Sequence, residues 1–180
     1  MKDDESNLAQ SLKNNKESAF RQLVILYQER LYFHIRKIVI NHDDADDVLQ
    51  NTFLKVWNNI DTFREESAIY TWLYRIATNE AITFLNSKKR KSWVSLQDSS
   101  DSLMHNLKTD PYFEGDEIQM KLQKAILNLP EKQRIVFNMK YFDEIKYEEM
   151  SKILNTSVGA LKASFHHAVK KIEEYLLNTD

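Results

Sequence analysis

The chain has 180 residues, with 25 lysines and arginines against 27 aspartates and glutamates, a formal net charge of −2, two glycines, two prolines and no cysteine. So few turn residues exclude a strand-rich fold and predict long helices with few breaks, while the missing thiols exclude disulfides and thiolate metal sites. A free-standing nucleic-acid binder ordinarily carries a basic excess, because phosphate neutralisation drives its affinity; this chain either binds no nucleic acid or segregates its basic residues and draws affinity from a partner.

Residues 1–91 read as a strongly periodic helical block. Leu8, Leu12, Phe20, Leu23, Leu26 and Tyr27 begin it, and a helix through Leu31, Ile35 and Ile38 is predicted to end near Asn41, where His42 and Asp43 offer a break and a new N-cap. The next helix, from Ala45 to Trp57, has two unlike sides. At about 100° per residue, Ala45, Val48, Leu49, Thr52, Phe53, Val56 and Ile60 share one side, as a core-facing helix requires. Opposite them stand Asp43, Asp47, Gln50, Asn51 and, against the pattern, Leu54. A leucine ringed by carboxylates and amides reads either as a small docking patch or as an ordinary surface leucine. The aspartates at 43, 44, 46 and 47 also suit a helix start, where negative charge meets the positive end of the dipole.

A polar loop is predicted from Asn58 to Glu66, followed by a long helix from about Ser67 to Lys91. Its core side takes Ile69, Trp72, Leu73, Ile76, Ala77 and Phe84. A second side presents Thr71, Arg75, Thr78, Asn79, Ile82, Asn86 and Lys89, and the helix runs out into Lys88-Lys89-Arg90-Lys91. Arg and Asn suit phosphate and base-edge contacts, and the basic run supplies local positive charge; the same run also reads as a solvated helix end. Tyr70, Trp72 and Tyr74 are expected in the core or at its boundary.

From Ser92 to Gly115 the periodicity fades into serines and aspartates, so residues 92–116 are expected to be a flexible acidic linker. Residues 117–180 are helical again. Ile118, Leu122, Ala125, Ile126 and Leu129 give one face, Pro130 marks a boundary, and Ile135, Val136 and Met139 give the next helix. Glu148 to Leu154 reads as a short helix, with Asn155-Thr156-Ser157 as its stop and the start of the next. Asn tolerates the left-handed conformation past a helix end, and Ser157 can cap the helix after it, which is the grammar of a helix-turn-helix. In the last helix Leu161, Phe165, Ala168, Ile172 and Leu176 share one side, and Gly159, Ala160, Ala163, His166, His167 and Lys170 the other. Small residues let a helix backbone approach a duplex, and Lys162, His166, His167, Lys170 and Lys171 are long enough to reach phosphates or base edges. The plainer alternative is an antiparallel helix pair with a solvated basic face. His166 and His167 point about 100° apart and make a poor pair for one metal; no metal and no cofactor is expected.

Taken in order, Asp46-Asp47-Val48-Leu49-Gln50-Asn51-Thr52-Phe53-Leu54-Lys55-Val56-Trp57, Thr71-Trp72-Leu73-Tyr74-Arg75-Ile76-Ala77-Thr78-Asn79, Leu129-Pro130-Glu131-Lys132-Gln133-Arg134 and the helix-turn-helix resemble bacterial sigma factors of the extracytoplasmic-function type, within the sigma-70 family. The resemblance covers nearly the whole chain. It implies an all-α fold: two small helical domains joined by a flexible linker, with the helix-turn-helix in the second. It further implies that Asp46, Asp47, Gln50, Asn51 and Leu54 dock on the coiled coil of the beta-prime subunit of core RNA polymerase. Arg64, Arg75, Asn79, Lys88, Lys89, Arg90 and Lys91 would engage and melt the minus-ten promoter element. Ser157, Gly159, Ala160, Lys162, Ala163, His166, His167 and Lys170 would lie on the minus-thirty-five element, with the same domain touching the beta flap.

The chain departs from the family at Thr83, commonly aspartate, at Asn86, commonly arginine, and at Ser164 and His167, where arginines are frequent; its set of promoter contacts is accordingly its own. An anti-sigma factor is the expected regulator. No run of about 18 apolar residues exists and the start Met1-Lys2-Asp3-Asp4-Glu5 is polar, so no membrane insertion and a cytoplasmic location are expected. Two other readings stand beside this one: a helix-turn-helix regulator that binds DNA without polymerase, and an all-helical interaction module with no DNA contact. An enzyme is not expected, for want of a glycine-rich phosphate loop or a clustered acid, base and nucleophile.

Overall fold

The computed structural model describes residues 15–63, 68–91 and 117–178. Seven α-helices and one 3-10 turn make up the described chain, with no strand among the described residues.

Helix α1 (Lys16–Val39) opens on Asn15, whose side chain accepts from the Ser18 amide at 3.0 Å. Ala19, Leu23, Tyr27, Leu31, Ile35 and Ile38 recur at helical spacing, and all are buried. Leu26, grouped with these in sequence, points instead to solvent, as does Ile25 beside it, because the inward stripe is already filled by its neighbours. Ile40 ends the helix at φ 70°, a left-handed conformation foreign to a β-branched residue, with its amide donating to the Arg36 carbonyl at 2.8 Å. Its side chain is buried against Leu127 of the later helix α4 (Glu117–Leu127), with Met120 beside them.

Helix α2 (His42–Asn59) is capped by Asn41, whose side chain accepts from the Asp44 amide at 3.0 Å. The break predicted at His42 and Asp43 thus falls one residue earlier: asparagine supplies the acceptor, and His42 is already helical. The helix also runs through Asn58 into a 3-10 turn (Ile60–Thr62), where a loop was expected. Helix α3 (Ile69–Lys91) completes a three-helix unit in which each helix packs on the other two.

Pro130 separates α4 from α5 (Glu131–Tyr141), and α6 (Tyr147–Leu154) and α7 (Val158–Leu177) complete the chain of helices. Asn155 adopts φ 49°, ψ 47°, and its amide reaches the Ser151 carbonyl; Ser157 then accepts from the Ala160 amide at 3.3 Å. The turn therefore forms as its residues dictate. Ala125, Ile126, Leu129, Phe137, Ala168 and Ile172 make the core of this unit, while Ile118, expected on the same face, is exposed at the start of α4.

The two units do not stand apart. Ile135, Val136, Met139, Ile145, Met150, Ile153 and Leu161 join the core formed by α1, α2 and α3, so one apolar cluster runs across both. Helix α6 packs on α3, and α5 on α1. One correction falls on α3: Thr71 and Thr78, predicted on its outward side, are buried, with the Thr78 hydroxyl 2.8 Å from Nε2 of His34 on α1 and donating to the Tyr74 carbonyl. The expected linker, residues 92–116, and the early leucines Leu8 and Leu12 lie outside the described residues.

The packing has measurable consequences for stability. Leu31→Ala removes a fully buried side chain from the shared core and is expected to cost about 2–5 kcal/mol in urea unfolding; a loss below about 1 kcal/mol would mean that the site collapses freely. Ser157→Ala deletes the cap of α7 and should lower stability by about 1 kcal/mol with no change in helix content by circular dichroism.

Candidate functional site

Three outward faces carry the residues singled out in sequence. On α2, Ala45, Val48, Thr52 and Val56 turn inward, which obliges Asp43, Asp47, Gln50, Asn51 and Leu54 to face solvent. Leu54 is 61% exposed, an apolar side chain amid carboxylates and amides. Asp46 differs from its neighbours. It is half-buried, with Oδ2 at 3.6 Å from Nε2 of His42, whose Nδ1 lies 2.6 Å from the Tyr32 hydroxyl. Asp44 accepts from Lys88 at 2.6 Å, which ties the start of α2 to the end of α3.

Trp57 joins this face one turn beyond Leu54, a placement that the sequence pattern alone did not single out. Its ring packs edge-on against Phe20, centroids 5.1 Å apart, and Lys16 sits over it at 5.0 Å, leaving one edge in solvent. The spacing of three from Leu54 was the available signal.

On α3, Arg75, Asn79, Thr83, Asn86 and Arg90 are exposed in a single stripe at spacings of four, four, three and four. At its end Lys88 is held by Asp44, Lys89 by Glu131 of α5, and the Arg90 Nε donates to the Asn86 carbonyl at 3.3 Å. Such solvent-exposed ion pairs are worth about 0–1 kcal/mol, so a phosphate can displace the carboxylate with little loss. Arg64 and the side chain of Lys91 lie outside the described residues.

On α7, Leu161, Ala168 and Ile172 are buried, and Gly159, Ala160, Lys162, Ala163, His166, His167 and Lys170 are on the outward side. A methyl group added at Gly159 would meet nothing within 4 Å, so the space above the start of this helix is open to an approaching surface. Ser157 is committed to the cap. Lys170 lies 3.9 Å from Glu174 and Lys171 donates to Gln133 at 3.1 Å, whereas Lys162 and Lys140 both lie over the Tyr147 ring, at 5.7 and 5.1 Å. Arg134, from the Leu129–Arg134 motif, faces inward; its Nε has no hydrogen-bond partner among the described residues, and burial pulls its guanidinium below the usual value against the opposing pull of Glu131. No group of three or more metal-ligating side chains occurs among the described residues, and no helix there is long and apolar enough to cross a membrane.

These faces fall on regions with known relatives. The family model Sigma-70 region 2 matches residues 23–91, and Sigma-70, region 4 matches residues 119–172. The chain is 30% identical over 173 residues to the ECF RNA polymerase sigma factor SigW of Bacillus subtilis, covering 92% of each. It is 29% identical over 174 residues to the ECF RNA polymerase sigma-E factor of Escherichia coli K12, covering 92% of this chain and 91% of that protein. Two solved structures share the fold. The sigma factor RpoE in complex with the anti-sigma factor NepR from Bartonella quintana gives a TM-score of 0.73 at 23% identity, over 89% of this chain and 98% of that one. CnrH in complex with the cytosolic domain of CnrY gives 0.72 at 20%, over 98% and 99%. Both regions are present, in order, and the relatives match over more than nine-tenths of their length: the chain belongs to the extracytoplasmic-function sigma factors of the sigma-70 family, which direct RNA polymerase in promoter recognition and the initiation of transcription.

Proposed function

We propose that the three outward faces divide the work of this sigma factor. Asp46, Asp47, Gln50, Asn51 and Leu54 dock on the beta-prime coiled coil of core RNA polymerase, with Trp57 extending the apolar part of the patch. The α3 stripe of Arg75 and Asn79, with Arg64 and the run Lys88 to Lys91, engages the minus-ten element. Gly159, Ala160, Lys162, Ala163, His166, His167 and Lys170 lie along the minus-thirty-five element, with Ser157 fixing the start of that helix. Residues 1–91 and 117–180 are the two working units and residues 92–116 the linker between them. The chain contributes no covalent chemistry; it selects and opens DNA for the enzyme it joins, in the cytoplasm, where polymerase and promoter meet. An anti-sigma factor is a fitting regulator, since RpoE was solved with the anti-sigma factor NepR and CnrH with the cytosolic domain of CnrY.

The observation that carries this reading is the exposed face of α2, where a solvent-facing leucine stands among acids and amides directly opposite a well-packed inner face. A net charge of −2 supports the same division, because a chain with so little basic excess gains useful DNA affinity from polymerase.

Replacing Asp47 and Gln50 together by Ala should weaken binding to core polymerase by about tenfold or more, about 1.4 kcal/mol or above, with helicity retained; unchanged binding discards the docking patch. Lys170→Ala should reduce the dependence of log affinity for promoter duplex on log salt by about 0.9, as expected for one phosphate contact. An unaltered slope would take Lys170 out of the interface.

A further inference from the structure

The boundary between the two units holds a polar cluster beside its apolar contacts. Asp143, in the turn after α5, reaches across to α1: Oδ2 lies 2.7 Å from Nδ1 of His34, and Oδ1 accepts from Nζ of Lys37 at 2.5 Å. The side chains of His34 and Asp143 are only 1% and 5% exposed. The other ring nitrogen of His34 lies 2.8 Å from the Thr78 hydroxyl on α3, which donates to the Tyr74 carbonyl at 2.7 Å. Beside them Asn138 of α5 donates to the Lys37 main-chain carbonyl at 3.2 Å, and Lys37 lies 5.2 Å from the Phe142 ring centre. The turn that carries Asp143 is itself constrained, with Glu144 at φ 53° and the Ile145 amide bonded back to the Met139 carbonyl at 3.0 Å.

One carboxylate of the second unit is therefore held by two side chains of α1, His34 and Lys37, with Thr78 of α3 behind His34. Burial alone would push its pKa up, but His34, by hydrogen bond and charge, and then Lys37 outweigh this and hold it below the usual carboxylate range. Its charge also reaches Tyr74, whose phenol is pushed up to about 12, first by burial and then by Asp143, with Arg30 acting the other way. A buried carboxylate so placed discriminates sharply between seated and unseated states, because removing one partner leaves an uncompensated charge.

The closed arrangement conflicts with the work the faces are assigned. A compact body of this size is roughly 35–40 Å across by the usual scaling of radius with chain length. Elements centred ten and thirty-five positions upstream lie about 25 base pairs apart, on the order of 85 Å along a duplex. The 25 residues numbered 92–116 can extend about 80–90 Å, so the units can separate that far while remaining one chain. We propose that Asp143 is a latch that holds the two units closed through His34 and Lys37, and that this latch must release before α3 and α7 can occupy two promoter elements at once. The second half of the proposal rests on the division of labour above; the first does not. With most molecules closed, the apparent affinity for polymerase and promoter falls by the fraction that is open, so residues that touch neither partner set that affinity.

The test separates the two halves. The chain has no cysteine, so Glu29→Cys on α1 and Glu173→Cys on α7, both at exposed positions, give a unique pair of spin labels for distance measurement in the full chain. The parent should show one narrow, short-distance population. Asp143→Asn and Lys37→Met should each add a longer, broader population, while circular dichroism shows the helices retained. Single narrow distributions in both variants would overturn the latch, as would a parent already broad and long. Both variants should also bind a core polymerase–promoter mixture several-fold more tightly. Opening without any gain in that affinity would overturn the functional consequence while leaving the latch in place, and no binding by parent or variants would instead remove the reading of the faces.

Discussion

Apolar burial shared between the two helical units governs which surfaces of this chain remain free. Leu23, Leu31, Ile35 and Leu73 of the first unit are continuous with Met139, Met150, Ile153 and Leu161 of the second. Each helix can bury a limited arc, and what the partner unit covers is subtracted from what a ligand could meet. Helix α3 packs on α1, α2 and α6, and its arc through Thr71 and Thr78 is buried, whereas the arc through Arg75, Asn79, Asn86 and Arg90 stays open. Helix α7 likewise gives Leu161 to the shared core and keeps its small and basic residues outward. All three outward faces are thus residues of packing, defined by what the core did not take.

Charge is arranged on the same principle. The chain is nearly neutral overall, yet Lys88 to Lys91 and the lysines of α7 are gathered where acids are sparse or weakly held. Pairing Lys88 with Asp44 and Lys89 with Glu131 keeps those lysines ordered and solvated without a deep commitment. Both lysines therefore stay available to an approaching phosphate.

Much of the fold was legible because the physics that fixed it is local. The inward arc of α2 through Ala45, Val48, Thr52 and Val56 comes from helical period alone, and Asn155 and Ser157 declare a helix stop and start within three residues. The exposed sides of α2 and α7 were legible as complements of those inward arcs. Where the sequence misled, the deciding contact was distant or the choice lay between neighbours: Thr78 meets His34 across 44 positions, and His34 meets Asp143 across 109. Asn41 rather than His42 or Asp43 caps α2, a one-residue shift that period cannot resolve. Leu26 and Ile118 fit the apolar pattern but found no room inside.

Ile40 links these themes. A β-branched residue in the left-handed region carries a conformational penalty of about 1–3 kcal/mol, tolerated here while its side chain is covered by Leu127. Asn41, the very next residue, caps the helix that bears the acidic face. If α4 withdraws, the penalty stays and its compensation goes, at the one joint from which the acidic helix takes its direction. Domain separation and the aim of that helix are in this way mechanically adjacent, connected through a single strained residue rather than through any contact with polymerase or DNA.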